Sequence, residues 1–188
     1  MIQSAYLNNQ FLVAMPTLKD TNFSHTVSYL CQHNDQGALA IVINRPTGMT
    51  LGDILDQMQI KTSFESVRQI PIYAGGPVQI ERGFIIHTTD KTDWDSSIMI
   101  SDMTCLTSSR DILEAIAQQK GPEKFLIALG YAGWGEGQLE KEIISNAWLN
   151  TPYQEHILFE TSANQRWNEA ASQLGIDINL LTTPAGHG

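Results

Sequence analysis

The chain has 188 residues, 42% of them hydrophobic and 16% charged, which is enough apolar material for one self-supporting core and too little polarity for a disordered chain. Eleven Lys and Arg stand against twenty Asp and Glu, a net charge of −9, and the basic residues are scattered. Direct binding to nucleic acid or to an anionic membrane surface is disfavoured on that ground, because either needs clustered positive charge.

At the N-terminus, Met1 to Leu7 lacks the basic start and long apolar core of a secretory signal. The longest apolar run, Ala38 to Ile43, is far too short to span a bilayer. A cytoplasmic, non-membrane protein is therefore expected, with Cys31 and Cys105 as reduced thiols. No linker or repeat divides the sequence, so residues 1–188 read as a single domain.

Phe11 to Ala14 is a short apolar strand stopped by Met15-Pro16. Thr26 to His33 alternates, with Val27, Tyr29, Cys31 and His33 expected on one face. The turn-prone Asn34-Asp35-Gln36-Gly37 then leads to Ala38–Ile43, apolar throughout, as the second strand of a hairpin covered on both faces. Thr50 and Asp53 form a capping box for a helix whose apolar stripe is Leu51, Ile54, Leu55 and Met58. Pro71–Ala74, Gly83–Thr89, Ile98–Ile100 and Phe125–Leu129 are further strands of a mixed sheet. Ser108 and Asp111 repeat the capping pattern ahead of Ile112, Leu113, Ile116 and Ala117. Two more amphipathic helices carry Leu139, Ile143, Ile144 and Ala147, then Trp167, Ala170, Ala171 and Leu174, with Gly175 at the last stop. Strands and helices do not alternate regularly, so the class is α+β.

Several chemical motifs fail at decisive positions. Gly130-Tyr131-Ala132-Gly133-Trp134-Gly135-Glu136-Gly137 follows a strand and precedes a helix, yet Gln138 replaces the third glycine of a dinucleotide turn and Glu136 replaces the lysine of a phosphate loop. A structural turn is the preferred reading. His25, His33, His87, His156 and His187 show no metal-ligand spacing, so neither a metal nor a cofactor is implied. Cys31 beside His33 offers a thiol with a base and hence a thiol sensor, although the simpler reading is a buried cysteine. The best ligand-binding candidate is Asn44-Arg45-Pro46, where an amide and a guanidinium at a strand's end face a helix N-terminus. Against it, Asn44 and Pro46 make a turn and Arg45 pairs with an acidic residue. Arg82 is a further candidate for the same site.

Taken together, several blocks resemble the YqgE/AlgH family of bacterial proteins. They are Phe11–Pro16, Gly37 to Pro46, Gly75-Gly76-Pro77-Val78, Arg82-Gly83-Phe84 to His87, Gly130–Trp134, Gly137–Glu140, Asn146–Leu149 and Gly186-His187. The resemblance implies an α+β domain whose mixed, bifurcated β-sheet curls into a pseudo-barrel with amphipathic helices packed outside. It supplies no reaction and no catalytic residues. Some members of the family are labelled transcriptional regulators, and the acidic charge makes an indirect route, through a protein or metabolite, the better expectation here. The sequence thus points to a non-enzymatic regulatory or adaptor protein that binds a protein or small-molecule partner. Its rivals are an anion-binding protein or enzyme using Asn44, Arg45 and Arg82, and a sensor using Cys31.

Overall fold

The computed structural model describes residues 6–182, which leaves the Gly186-His187 block outside the described residues. In chain order the strands are β1 (Gln10–Ala14), β2 (Val27–Asn34), β3 (Gly37–Val42), β4 (Pro46–Thr50), β5 (Pro71–Ala74), β6 (Val78–Thr88), β7 (Ser97–Met99), β8 (Thr104–Thr107), β9 (Phe125–Trp134) and β10 (Trp148–Pro152). The α-helices are α1 (Leu51–Gln57), α2 (Glu65–Arg68), α3 (Arg110–Ala117), α4 (Gln138–Ile144), α5 (Glu155–Phe159) and α6 (Ala163–Ser172), followed by a 3-10 turn at Ile178–Thr182. The α+β class is as read from the sequence.

The sheet runs β10-β1-β2-β3-β9-β6-β8-β7, and it forks along β9. On one edge, the second half of β9 pairs with β3 (Ala132 with Ala40, Trp134 with Ala38). On that same edge the first half pairs in parallel with β5 (Ile127 with Ile72, Leu129 with Ala74), and β5 carries β4. The other edge takes β6. The sheet also curls: the Tyr29 hydroxyl on β2 hydrogen-bonds Thr104 Oγ1 on β8 at 2.7 Å, although three strands separate the two in sheet order.

The fork depends on Gly130. Before it, Leu126 and Ala128 face the inside of the curl while Ile127 faces outward. After it, Tyr131 faces inward while Ala132 and Trp134 face outward. A left-handed residue (φ 77°) shifts the two-residue phase by one, as a glycine bulge does. The sequence reading ended this strand at Leu129 and made Gly130–Gly137 a turn. In fact β9 continues to Trp134, and the turn is confined to the residues after it.

Three apolar clusters follow. Inside the curl, Phe11, Tyr29, Ile41, Ile86 and Leu126 are closed off by Ile157, Leu158, Trp167 and Ala170 of α5 and α6. Outside, α1 to α3 cover Ile72, Ile85 and Ile127 with Leu51, Leu55, Ile112 and Ile116. On the other wing, Leu139 of α4 packs with Leu12, Leu30, Trp134 and Trp148. Glu142 accepts both indole N–H groups, from Trp134 at 2.8 Å and Trp148 at 2.9 Å, and so ties α4 to both strands.

Other elements differ from the sequence reading. The Thr50–Asp53 box is present, with Asp53 Oδ2 accepting the Thr50 N–H at 2.9 Å. The cap of α3 is Ser109 rather than Ser108. Ile144 is 80% exposed, outside the buried stripe expected of it, because it is the last residue of α4 and points away from the face that carries Leu139, Glu142 and Ile143 against the sheet. The edge strand β10 and the short β4 went unread. Pro152 and Pro46-Thr47-Gly48 carry little strand propensity, and pairing with β1 and β5 decides their conformation.

Candidate functional site

Asn44 and Arg45 leave β3 where expected, but their polar groups are spent on the chain itself. Asn44 Oδ1 accepts the Val27 N–H at 3.0 Å, and its Nδ2 donates to the His25 carbonyl at 2.9 Å. Arg45 donates to the carbonyls of Asn22 (2.5 Å) and Ser24 (2.9 Å). The two residues act as staples for the loop before β2, and Arg45 makes no ion pair with an acidic residue among those described. A third arginine, Arg166 on α6, is 4% exposed and works the same exit from β3. It donates to the Ile43 carbonyl, donates from Nε to the Ile157 carbonyl at 3.1 Å, and lies 5.0 Å from the Tyr73 ring centroid. Arg166 carried no motif signal in the sequence; only its place on the buried side of a helix reveals its role.

Arg82 sits elsewhere. Between the pairs Val78–Tyr131 and Gly83–Leu129, β6 has four residues where β9 has only Gly130, so Gln79–Arg82 arch off the sheet. Gln79 takes a left-handed conformation (φ 48°) to start the arch. Arg82 then turns into the curl, with its guanidinium carbon 5.2 Å from the Phe84 ring centroid. Nη2 donates to Ser108 Oγ at 2.8 Å and Nη1 to Gln79 Oε1 at 3.3 Å. Both acceptors are neutral, and among the described residues no carboxylate pairs with this cation.

Arg82 overlooks a trough along the inner face of the sheet. Two adjoining hollows of about 480 and 220 Å³ share Leu39 and Tyr131 as floor. Tyr131 packs edge-to-face on Phe84 at 5.6 Å, so the floor beneath the guanidinium is aromatic. Gln32 and Asn34 line one end, and Ser97, Ile98 and Ser108 the other. Chemically this is a solvent-exposed cation with neutral hydrogen-bonding neighbours over aromatic rings, which suits a carboxylate or phosphate attached to a flat or apolar body.

The pairing of Cys31 with His33 does not survive folding. Cys31 is an extra residue in the β2–β3 ladder, between the pairs Leu30–Ala40 and Gln32–Leu39. The bulge moves His33 to the outer side, where Nε2 meets Glu140 Oε1 of α4 at 2.7 Å. Cys31 stays in the inner core at 3% exposure, and burial pushes its thiol well above the usual range. It lacks the exposure and the neighbouring cation that a reactive thiol needs. Both cysteines are free. Among the described residues no group of three or more His, Cys, Asp or Glu is placed to hold a metal ion, and no helix is long and apolar enough to cross a membrane.

His87 is the buried titratable group behind the trough. Its Nε2 meets Thr107 Oγ1 at 2.7 Å, and Thr107 Oγ1 meets Ser97 Oγ at 2.6 Å. The Thr88 carbonyl accepts from Nδ1 at 2.9 Å. Burial holds this imidazole below its ordinary range. The unfolded chain takes up a proton near pH 6.5, which the folded protein resists, so the contribution of His87 is intact above that pH and stability falls as pH drops through it. Denaturation midpoints measured from about pH 7 to about pH 5 should decline in the wild type and decline less in His87→Gln. Equal slopes would remove His87 as a source of acid sensitivity.

Comparison with known proteins agrees with this architecture. The AlgH-like family matches residues 11–179. A UPF0301 protein of Thioalkalivibrio sulfidiphilus is 51% identical over 100% of both chains, and one of Methylococcus capsulatus is 50% identical over 99% of this chain and 98% of that one. The solution structure of the AlgH protein from Pseudomonas aeruginosa superposes with a TM-score of 0.80 at 45% identity, covering 100% of each chain. A crystal structure of a Corynebacterium diphtheriae protein gives a TM-score of 0.74 at 17% identity, covering 98% of this chain and 95% of that one, a likeness of fold alone.

Proposed function

The chain belongs to the AlgH-like family, and from that premise we propose that it is a non-enzymatic regulatory or adaptor protein of the cytosol, whose trough at Arg82 takes a small anionic ligand. The observation that carries this reading is the Arg82 guanidinium, unpaired with any described carboxylate in a protein of net charge −9 and set over Phe84 at the trough wall. A guanidinium held by neutral acceptors keeps its charge available, and a fork of N–H donors matches carboxylate and phosphate oxygens. Arg45 is the poorer candidate because two carbonyls already occupy it.

A protein partner in the same trough is the second reading. It is favoured by exposed apolar side chains on the strands and arch that border it, Ile98 in the trough wall at 39% exposure and Ile80 on the arch at 64%. Direct contact with duplex DNA remains disfavoured by charge.

Thermal melts against small aromatic carboxylates and aryl phosphates test the proposal. Wild type and Arg45→Ala should be stabilised by the same compounds. Arg82→Ala should stay folded and bind them at least about tenfold more weakly, the loss expected for a charge-assisted contact. Equal stabilisation of Arg82→Ala, or none in the wild type, would remove the trough as an anion site.

A further inference from the structure

On the opposite face of β6 from the trough, a separate hollow of about 320 Å³ lies between the sheet and helices α1 and α3. Ile54 and Met58 of α1, Leu113 of α3, and Ile85 and Ile127 of the sheet form its walls. Leu113, Ile85 and Ile127 are at most 6% exposed, so the floor is apolar and well buried. Gly83 lines the hollow and puts no side chain into it. A Cβ built on Gly83 would meet nothing within 4 Å, and its backbone is one any residue accepts. The hollow is a cleft open to solvent at its polar rim, and its apolar floor suits an apolar guest.

The hollow has a polar mouth of mixed sign. Ser109 and Arg110 stand where α3 begins, and Glu81 of the arch stands on the mouth as well. Arg110 gives Nε to Glu114 at 2.7 Å, and its other N–H groups have no partner among the described residues. Glu114 already balances the charge of Arg110, so an anionic head would be held there by hydrogen bonds from the remaining N–H groups and kept away from Glu81 by repulsion.

We infer that this hollow binds a small carboxylic acid with a flexible apolar chain, the chain filling the space beside Gly83 and the carboxylate meeting Arg110. The site shares only Ser108 with the trough and stands independently of the reading given to Arg82.

Octanoate is the probe, titrated into the full chain with methyl-resolved NMR. In the wild type, intermolecular NOEs should run from its methylenes to Ile54, Met58 and Ile85. Gly83→Leu should melt no lower than wild type and bind octanoate at least tenfold more weakly, because leucine occupies the space itself. Arg110→Gln should weaken octanoate several-fold and leave 1-octanol unchanged. Arg82→Ala should leave octanoate binding intact, which separates this site from the trough. The inference is overturned if octanoate fails to bind at millimolar concentration, if its NOEs fall elsewhere, or if Gly83→Leu binds it as well as wild type. Should Gly83→Leu fail to fold, the wild-type NOEs decide. Equal weakening of octanoate and octanol by Arg110→Gln would overturn the assignment of the carboxylate.

Discussion

Replacing Gly130 with alanine is expected to destabilise the protein by about 3 kcal/mol, a fall of roughly 6–12 °C in melting temperature for a domain of this size. Two costs add at this position. A Cβ in a left-handed conformation costs about 1–2 kcal/mol, and Gly130 has φ 77°. Crowding adds about 1–3 kcal/mol, because the new Cβ would lie 2.5 Å from the Gly76 carbonyl oxygen, 3.1 Å from that of Val78 and 3.2 Å from Ile80 Cα. All three neighbours are backbone atoms, two in the approach to the arch and one within it, so none can rotate away. Gly48→Ala is the internal control. Its φ is 82°, but nothing lies within 4 Å of the added Cβ, so it bears only the conformational cost. Chemical denaturation of the two variants should place Gly130→Ala lower by at least about 1 kcal/mol. If both lose the same amount, close packing at the fork contributes nothing. Because the arch carries Arg82, Gly130→Ala should also weaken any ligand of the trough.

Arg166→Met should cost about 3 kcal/mol, far more than Arg45→Ala. Methionine can replace much of the packing on Tyr73, but the Ile43 and Ile157 carbonyls lose their donor inside a core where water cannot substitute. Each buried acceptor left unmatched costs about 1–3 kcal/mol. Arg45 is only half-buried and its carbonyl partners belong to an exposed loop, so its removal should cost about 1 kcal/mol. Arg166→Lys should recover less than half of the loss, because one ammonium cannot span two carbonyls on different elements. Urea denaturation of the three variants measures the differences. A value below about 1 kcal/mol for Arg166→Met would mean that burying the unpaired guanidinium costs as much as its two hydrogen bonds return.

The candidate site was only partly legible. Arg82 was named from the sequence, but as an adjunct to Asn44 and Arg45, and it shares no hydrogen-bond partner with them. The strand predicted at Gly83–Thr89 began too late, because Gln79–Arg82 follow no two-residue alternation. Their arch is imposed by Gly130 on the neighbouring strand. Cys31 and His33 were placed on one face by simple alternation, and a single unpaired residue in the ladder undid that. The cavity at Gly83 left no sequence signal beyond a glycine within a strand.

What the sequence determined by itself is what local chemistry governs. The Asn34–Gly37 turn set the first hairpin, Thr50 with Asp53 opened α1, and the spacing of Trp167, Ala170 and Ala171 gave α6 its buried stripe. Each of these depends on groups within a few residues of one another, so the order of letters suffices. The tertiary structure alone decided the fork at β9, the phase of β2 and β9 on either side of their bulges, and the partners of Arg45, Arg82 and Arg166. Apart from the contact of Arg82 with nearby Gln79, those outcomes rest on hydrogen bonds between residues well separated in the chain. A strand's phase is fixed by the partner beside it, and an arginine's role by whichever oxygens folding brings within reach.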